Sequence, residues 1–246
     1  MERINNNSLH YMIISIISIF DNLSSMKRSE INAAINTAKK MMDEYNWTLP
    51  EWGYWSKEDY KDKPEIRKYL KSHQMGWDVT DFGKDNFNSQ GITLFCIRNG
   101  IQGAKDDKPY AEKLLFMQEG QEIPFHSHKV KLEDIINRGG GDLAIEFLEV
   151  DKDFRELQKE IDVLVDGQTL TIQPHKPLIL KRGQSVTVER NVYHKFYAVE
   201  GTGMVMAGEV SQVNDDNKDN YFLEPVGRFS DIEEDEAAIH LLWNEI

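Results

Sequence analysis

Apolar positions along the chain follow two different periods. From Ser29 the pattern is helical: Ile31, Ala34, Ile35, Ala38, Met41, Met42 and Tyr45 recur at three- and four-residue spacing. Ser29 is placed to cap that helix, Glu30 lies at its positive end, and Pro50 closes it. Residues 47–90 carry Trp47, Trp52, Tyr54, Trp55 and Trp77 among glycines and prolines, which predicts loops and short helices, one of them after Pro64. After Gly91 the period shortens. ITLFCIRNG, KLLFMQEG, LAIEFLEV, IDVLVDG, PLILKRG, SVTVE, HKFYAV and GMVMAGEV are short β-branched or aromatic runs between turn residues. Asp166-Gly167, between VLV and TLTI, marks a hairpin. Many short strands at this spacing predict a mainly β fold, a sandwich or a closed barrel, with an N-terminal helical segment.

Three units follow: an appendage over 1–25, a helical and loop wrap over 26–90, and a barrel over 91–246 that forms one domain with the wrap. The apolar run LHYMIISIISIF is too short to span a bilayer as a helix, and no small-x-small cleavage site follows it. Met26-Lys27-Arg28 reads as an ordinary cytoplasmic start, so an early start codon accounts for what precedes it.

Composition narrows the function. The net charge of −13 argues against a nucleic-acid binder or an anionic membrane surface, both of which need a basic face. A single cysteine, Cys96, excludes a disulfide framework and any multi-thiolate metal site, and its apolar surroundings make it a core residue. What remains is a protein of a reducing compartment that acts on something small or on another protein.

The chemistry gathers between Gly120 and Gly141. His126 and His128 alternate on a strand and so point the same way, Glu133 follows after a turn, and His194 opens another strand. Three imidazoles and a carboxylate without a thiolate suit Mn²⁺, Fe²⁺, Co²⁺, Ni²⁺ or Zn²⁺, with positions left for two oxygens of a substrate. Lys131 stands two residues before a ligand, where a cation's field favours its neutral, basic form. Glu209, Asp215, Asp216 and Glu224 are the competing carboxylates; of these Glu224 is selected as base or proton carrier. Asp215 and Arg228 are selected as substrate contacts, and Lys113 as a lysine facing the substrate from the strand before the histidines. VNDDNKDN lacks the glycine and final glutamate of an EF-hand and reads equally as an acidic turn without a catalytic role. The Gly139–Gly141 run reads as a turn, and DIEEDEAAIH as a solvated helix face.

The spacing G-x5-HxH-x4-E-x6-G, over Gly120, His126, His128, Glu133 and Gly140, resembles the first motif of the cupin superfamily, double-stranded β-helix barrels whose second motif adds a histidine, here His194. The proline and glycine usual before that histidine are replaced in GQSVTVERNVYH. HSHKVKLEDIINRGGGDL and GEVSQVNDDNKDNYFLEPVGRF resemble the D-lyxose isomerase family from about Met26 to the C-terminus. That resemblance implies a manganese-dependent aldose–ketose isomerase that interconverts D-lyxose and D-xylulose, with D-mannose and D-fructose as a second pair. It also implies a homodimer, and metal ligation by His126, His128, Glu133 and His194. The alternatives are an iron-dependent cupin oxygenase and a non-catalytic sugar-binding cupin. A phosphorylated sugar is disfavoured, since it needs a cationic pocket.

Overall fold

Helix α1 (Arg28–Glu44) lays Ile31, Ile35, Ala38 and Met42 onto Trp77, Phe95, Leu114, Phe116 and Met206, and so covers the outer face of a β-sheet. The structure is a computed structural model that describes residues 25–227 and 231–246. The proposed appendage lies outside the described residues except for the backbone of Ser25, and so does Arg228. Strand β1 (Ser25–Lys27) precedes the helix; α2 (Pro64–Ser72) follows two single-turn 3-10 helices, with Pro64 at its first turn as the sequence predicts.

The other strands are β2 (Gly76–Thr80), β3 (Ile92–Arg98), β4 (Tyr110–Met117), β5 (Glu122–Ser127), β6 (Glu133–Gly140), β7 (Leu143–Val150), β8 (Glu156–Leu157) and β9 (Ile161–Val165). They continue with β10 (Gln168–Ile172), β11 (Leu178–Leu180), β12 (Ser185–Val188), β13 (Tyr193–Ala198), β14 (Val205–Gln212), β15 (Tyr221–Phe222) and β16 (Asp231–Glu233). Eight of them form one antiparallel sheet in the order β10-β9-β12-β6-β14-β4-β3-β2, and a second sheet runs β11-β7-β13-β5-β15. The inner faces meet over Leu94, Leu115, Ile135, Ile145, Phe147, Val186, Phe196 and Ala207, the core of a barrel. Asp166 and Gly167 both have positive φ, as the two-residue turn of the β9–β10 hairpin requires. Among the described residues no helix is long and apolar enough to cross a membrane.

Four sequence expectations change. Gly76–Thr80, expected as loop or helix, is a strand paired along its length with β3; its Gly and Asp lower strand propensity, but every residue in it is buried. The Gly139–Gly141 run turns only at its end: β6 continues through Gly140, and Gly141 bends into the short link to β7. A Cβ on Gly139 would sit 2.6 Å from the Tyr45 ring, so these glycines let α1 approach the sheet. The acidic C-terminal segment is not a solvated helix. After β16 pairs in parallel with β1, Glu234 and Glu245 both grip the buried Arg28, and Asp235 accepts from the Ser29 amide and hydroxyl. Lys27, not Ser29, occupies the cap position of α1, and its N–H donates to Glu30.

Candidate active site

His126 lies in β5, and His194 in β13 is its cross-strand partner, so the two rings lie 4.2 Å apart between centroids. His128 stands just past the end of β5, and Glu133 begins β6 in the opposite sheet. All four are buried, and one ligand atom from each falls within 4.8 Å of the others.

The hydrogen bonds on the far side of each ring decide what it offers. Nδ1 of His126 donates to the Pro124 carbonyl (2.8 Å), Nδ1 of His128 to Asp219 O (2.6 Å), and Nδ1 of His194 to Val192 O (3.2 Å). A carbonyl only accepts, so each proton sits on Nδ1 and each Nε2 turns a lone pair inward. Burial, followed by the charges of neighbouring groups, pushes His126 and His128 below the ordinary imidazole range and keeps them neutral. Nε2 of His194 lies 3.0 Å from Glu133 Oε1 and Nε2 of His128 lies 3.5 Å from it, yet neither buried nitrogen has a hydrogen-bond partner. Two lone pairs facing a carboxylate oxygen repel unless a cation stands between them. The four side chains therefore fit a divalent ion.

Beside this cluster runs a chain of buried charges. Lys131 Nζ lies 2.6 Å from Glu133 Oε2 and donates to Glu209 Oε1 at 2.8 Å. Lys113 Nζ lies 3.7 Å from the same Glu209 oxygen and 3.3 Å from Asp216 Oδ1. Burial drives the Lys131 ammonium toward neutrality, but Glu133 and Glu209 outweigh it and raise its pKa. For Glu133 burial acts upward, while Lys131 and His128 hold the carboxyl well below the usual range. The two carboxylate partners of Lys131 thus favour its charged form, against the neutral form that a cation's field would favour.

His126 and His128, with Lys131, Glu209, Lys113 and Asp216, line a cavity of about 470 Å³ of empty space, solvent mouth included. Lys113, Lys131, Glu209, Asp216 and Asn220 form its polar wall, and Phe82, Leu94, Leu115, Ile123, Phe196 and Phe222 its apolar wall. Lys113 and Lys131 face the cavity as the sequence suggested. Glu224 does not: it is exposed beyond β15 and is not part of the lining. Asp215 also lies outside, taking a hydrogen bond from Gln74 and pairing with Lys218. Glu209 and Asp216, which the sequence offers only as alternatives, line the cavity instead. Phe82, Phe196, Phe222 and Asn220 also line it; Asn220 and Phe222 lie in the motif around VNDDNKDN, but nothing in its spacing says which of its residues face the cavity.

The geometry has relatives. Residues 26–246 match the model of the D-lyxose isomerase family. The D-lyxose/D-mannose isomerase of Escherichia coli O157:H7 is 38% identical over 222 residues, covering 89% of this chain and 98% of that protein. Its counterpart in Serratia proteamaculans is 39% identical over 226 residues, with coverage of 89% and 97%. Among solved structures, L-ribose isomerase of Cellulomonas parahominis with L-ribose aligns at a TM-score of 0.56 and 13% identity, covering 86% of this chain and 100% of that one. The L-ribose isomerase of Acinetobacter sp. DL28 in complex with L-ribose gives 0.56 and 13%, with coverage of 85% and 99%. At such identities the structural likeness bears on the fold alone, and it is the cupin barrel that the motif spacing led us to expect. With the family match running from Met26 to Ile246, and relatives at 38–39% identity aligned over nearly their whole length, the chain belongs to the D-lyxose isomerase family.

Proposed function

We propose that the protein is a manganese-dependent aldose–ketose isomerase that converts D-lyxose to D-xylulose and, as a second pair, D-mannose to D-fructose. The observation that carries this reading is the placement of Lys131 between Glu133 of the metal cluster and Glu209, a proton-carrying pair set against the ion site. When bound by His126, His128, Glu133 and His194, a divalent ion supplies Lewis-acid stabilisation of charge developing on adjacent sugar oxygens.

The protein's own groups do the rest. Glu209, buried and facing the cavity, takes the proton from C2 of the open-chain aldose and returns it to C1. Lys131, charged and held at 2.8 Å from Glu209, donates to the oxygen at C1 as its carbonyl becomes a hydroxyl, and the proton given up by the C2 hydroxyl restores the Lys131 ammonium. Lys113 and Asp216, paired at 3.3 Å, offer a donor and an acceptor to sugar hydroxyls further along the chain. The apolar wall excludes water from the intermediate. The cytoplasmic location and the homodimer implied by the family resemblance belong to the same reading; light scattering checks the dimer.

The test is to strip the protein of metal and incubate it with D-lyxose or D-mannose, with and without Mn²⁺. Ketose should form only with the ion. Absence of ketose from both sugars with every divalent ion supplied overturns the reading.

A further inference from the structure

The loop over residues 213–220, which the sequence left as an acidic turn, reaches the metal cluster through one residue. Asp219 is buried, and its carboxylate accepts from three consecutive backbone amides: Lys129 at 2.9 Å, Val130 at 3.1 Å and Lys131 at 3.0 Å. Its main-chain carbonyl accepts from Nδ1 of His128 at 2.6 Å. One residue therefore holds both the imidazole of a ligand and the backbone that carries Lys131.

The three ligand histidines are not equal in this respect. His126 donates to a carbonyl two residues back on its own strand and His194 to the carbonyl of Val192, just before its strand, so the local backbone that places each ring also orients it. His128 lies beyond the end of β5, and its partner comes from 91 residues away. Its orientation depends on the loop. The loop is itself tied down: Asn99 donates to the Asn214 carbonyl and accepts from its amide, Gln74 accepts from the Asp216 amide, and the Asp219 amide donates to Asp215 O.

We propose that Asp219 is a positioning residue for the metal centre, fixing the tautomer and direction of His128 and the station of Lys131. Such outer partners of ligand imidazoles are worth about 10–100-fold in metal affinity. The proposal rests on the metal-centre reading above and extends it to a residue that touches neither ion nor sugar.

The experiment titrates metal-stripped wild type, Asp219→Asn and Asp219→Ala with Mn²⁺ by calorimetry, and records far-UV circular dichroism and thermal melting of each metal-free protein. Lys218→Ala, on the same loop with its side chain in solvent, is the control. The expected result is a loss of Mn²⁺ affinity of about 10-fold or more in Asp219→Asn with its dichroism retained, and unchanged affinity in Lys218→Ala. At saturating Mn²⁺ the Asn variant should still show a lowered kcat with KM little changed, because Lys131 is no longer held. Wild-type affinity and kcat in Asp219→Asn, with only a lower melting temperature, would make Asp219 a structural brace and overturn the proposal. A measurement that needs no variant guards against misfolding: long-range ¹⁵N–¹H correlation on the metal-free wild type should find the His128 proton on Nδ1, and a proton on Nε2 overturns the proposal equally. Failure of the wild type to bind any divalent ion would instead remove the metal-centre reading.

Discussion

At the scale of single residues, Glu209 and Lys113 are opposed across β14 and β4, and each is buried beside the other's charge. Substituting Glu209→Gln keeps the shape and removes the base. We expect kcat to fall by about 100-fold or more, with Mn²⁺ content unchanged, since Glu209 is not a ligand. Metal loss in this variant would instead make Glu209 part of the ion's support. The four candidate ligands could be read from the sequence because His126 and His128 stand two residues apart at the end of β5, a short turn returns Glu133 to them, and His194 opens another strand, where it pairs with His126. Glu209 could not be selected over Glu224 in the same way. Both faces of β4 are buried, one in the barrel core and one under α1, so its sequence shows no alternation to say which way Lys113 and its partner strand face.

At the scale of elements, close approach sets the contact between α1 and the barrel. Gly139→Ala would place a Cβ against the ring of Tyr45, and Gly140 has a positive φ with the Met204 carbonyl pressed close. Gly139→Ala should therefore cost about 1–3 kcal/mol of stability, read as a lower urea midpoint with unchanged slope. A midpoint equal to wild type would show that α1 can shift without penalty. The helix was legible from its periodicity, while the reason for the glycine run was not, because a turn and a helix-packing site both ask for small residues. The acidic tail misled for a related reason. Its charges suggest solvent, yet Glu234 and Glu245 answer Arg28, and Asp235 answers the amide and hydroxyl of Ser29, partners more than two hundred positions away in sequence.

At the scale of the whole molecule, the barrel was legible because strand count, spacing and the histidine motif agree, whereas the membership of β2 depended on burial that only the assembled sheet provides. The interior makes a prediction of its own. Burial pushes the Cys96 thiol from 9.0 up to about 12, and the Tyr60 hydroxyl from 10.0 to about 12. In that interval the unfolded chain releases protons that the folded chain retains, so stability is complete below about pH 9 and declines as pH rises toward 12. Cys96→Ala should make this alkaline decline shallower in denaturation measured across pH, and an unchanged slope would contradict the assignment. The four ligand positions carry one more consequence. His126 and His194 belong to one sheet and Glu133 to the other, so an ion held among them would act as a clasp across the seam of the barrel. Its occupancy would set how readily the two halves part, and amide hydrogen exchange along that seam would slow as Mn²⁺ is added. A cell short of the ion would then lose the protein to proteolysis as well as its turnover.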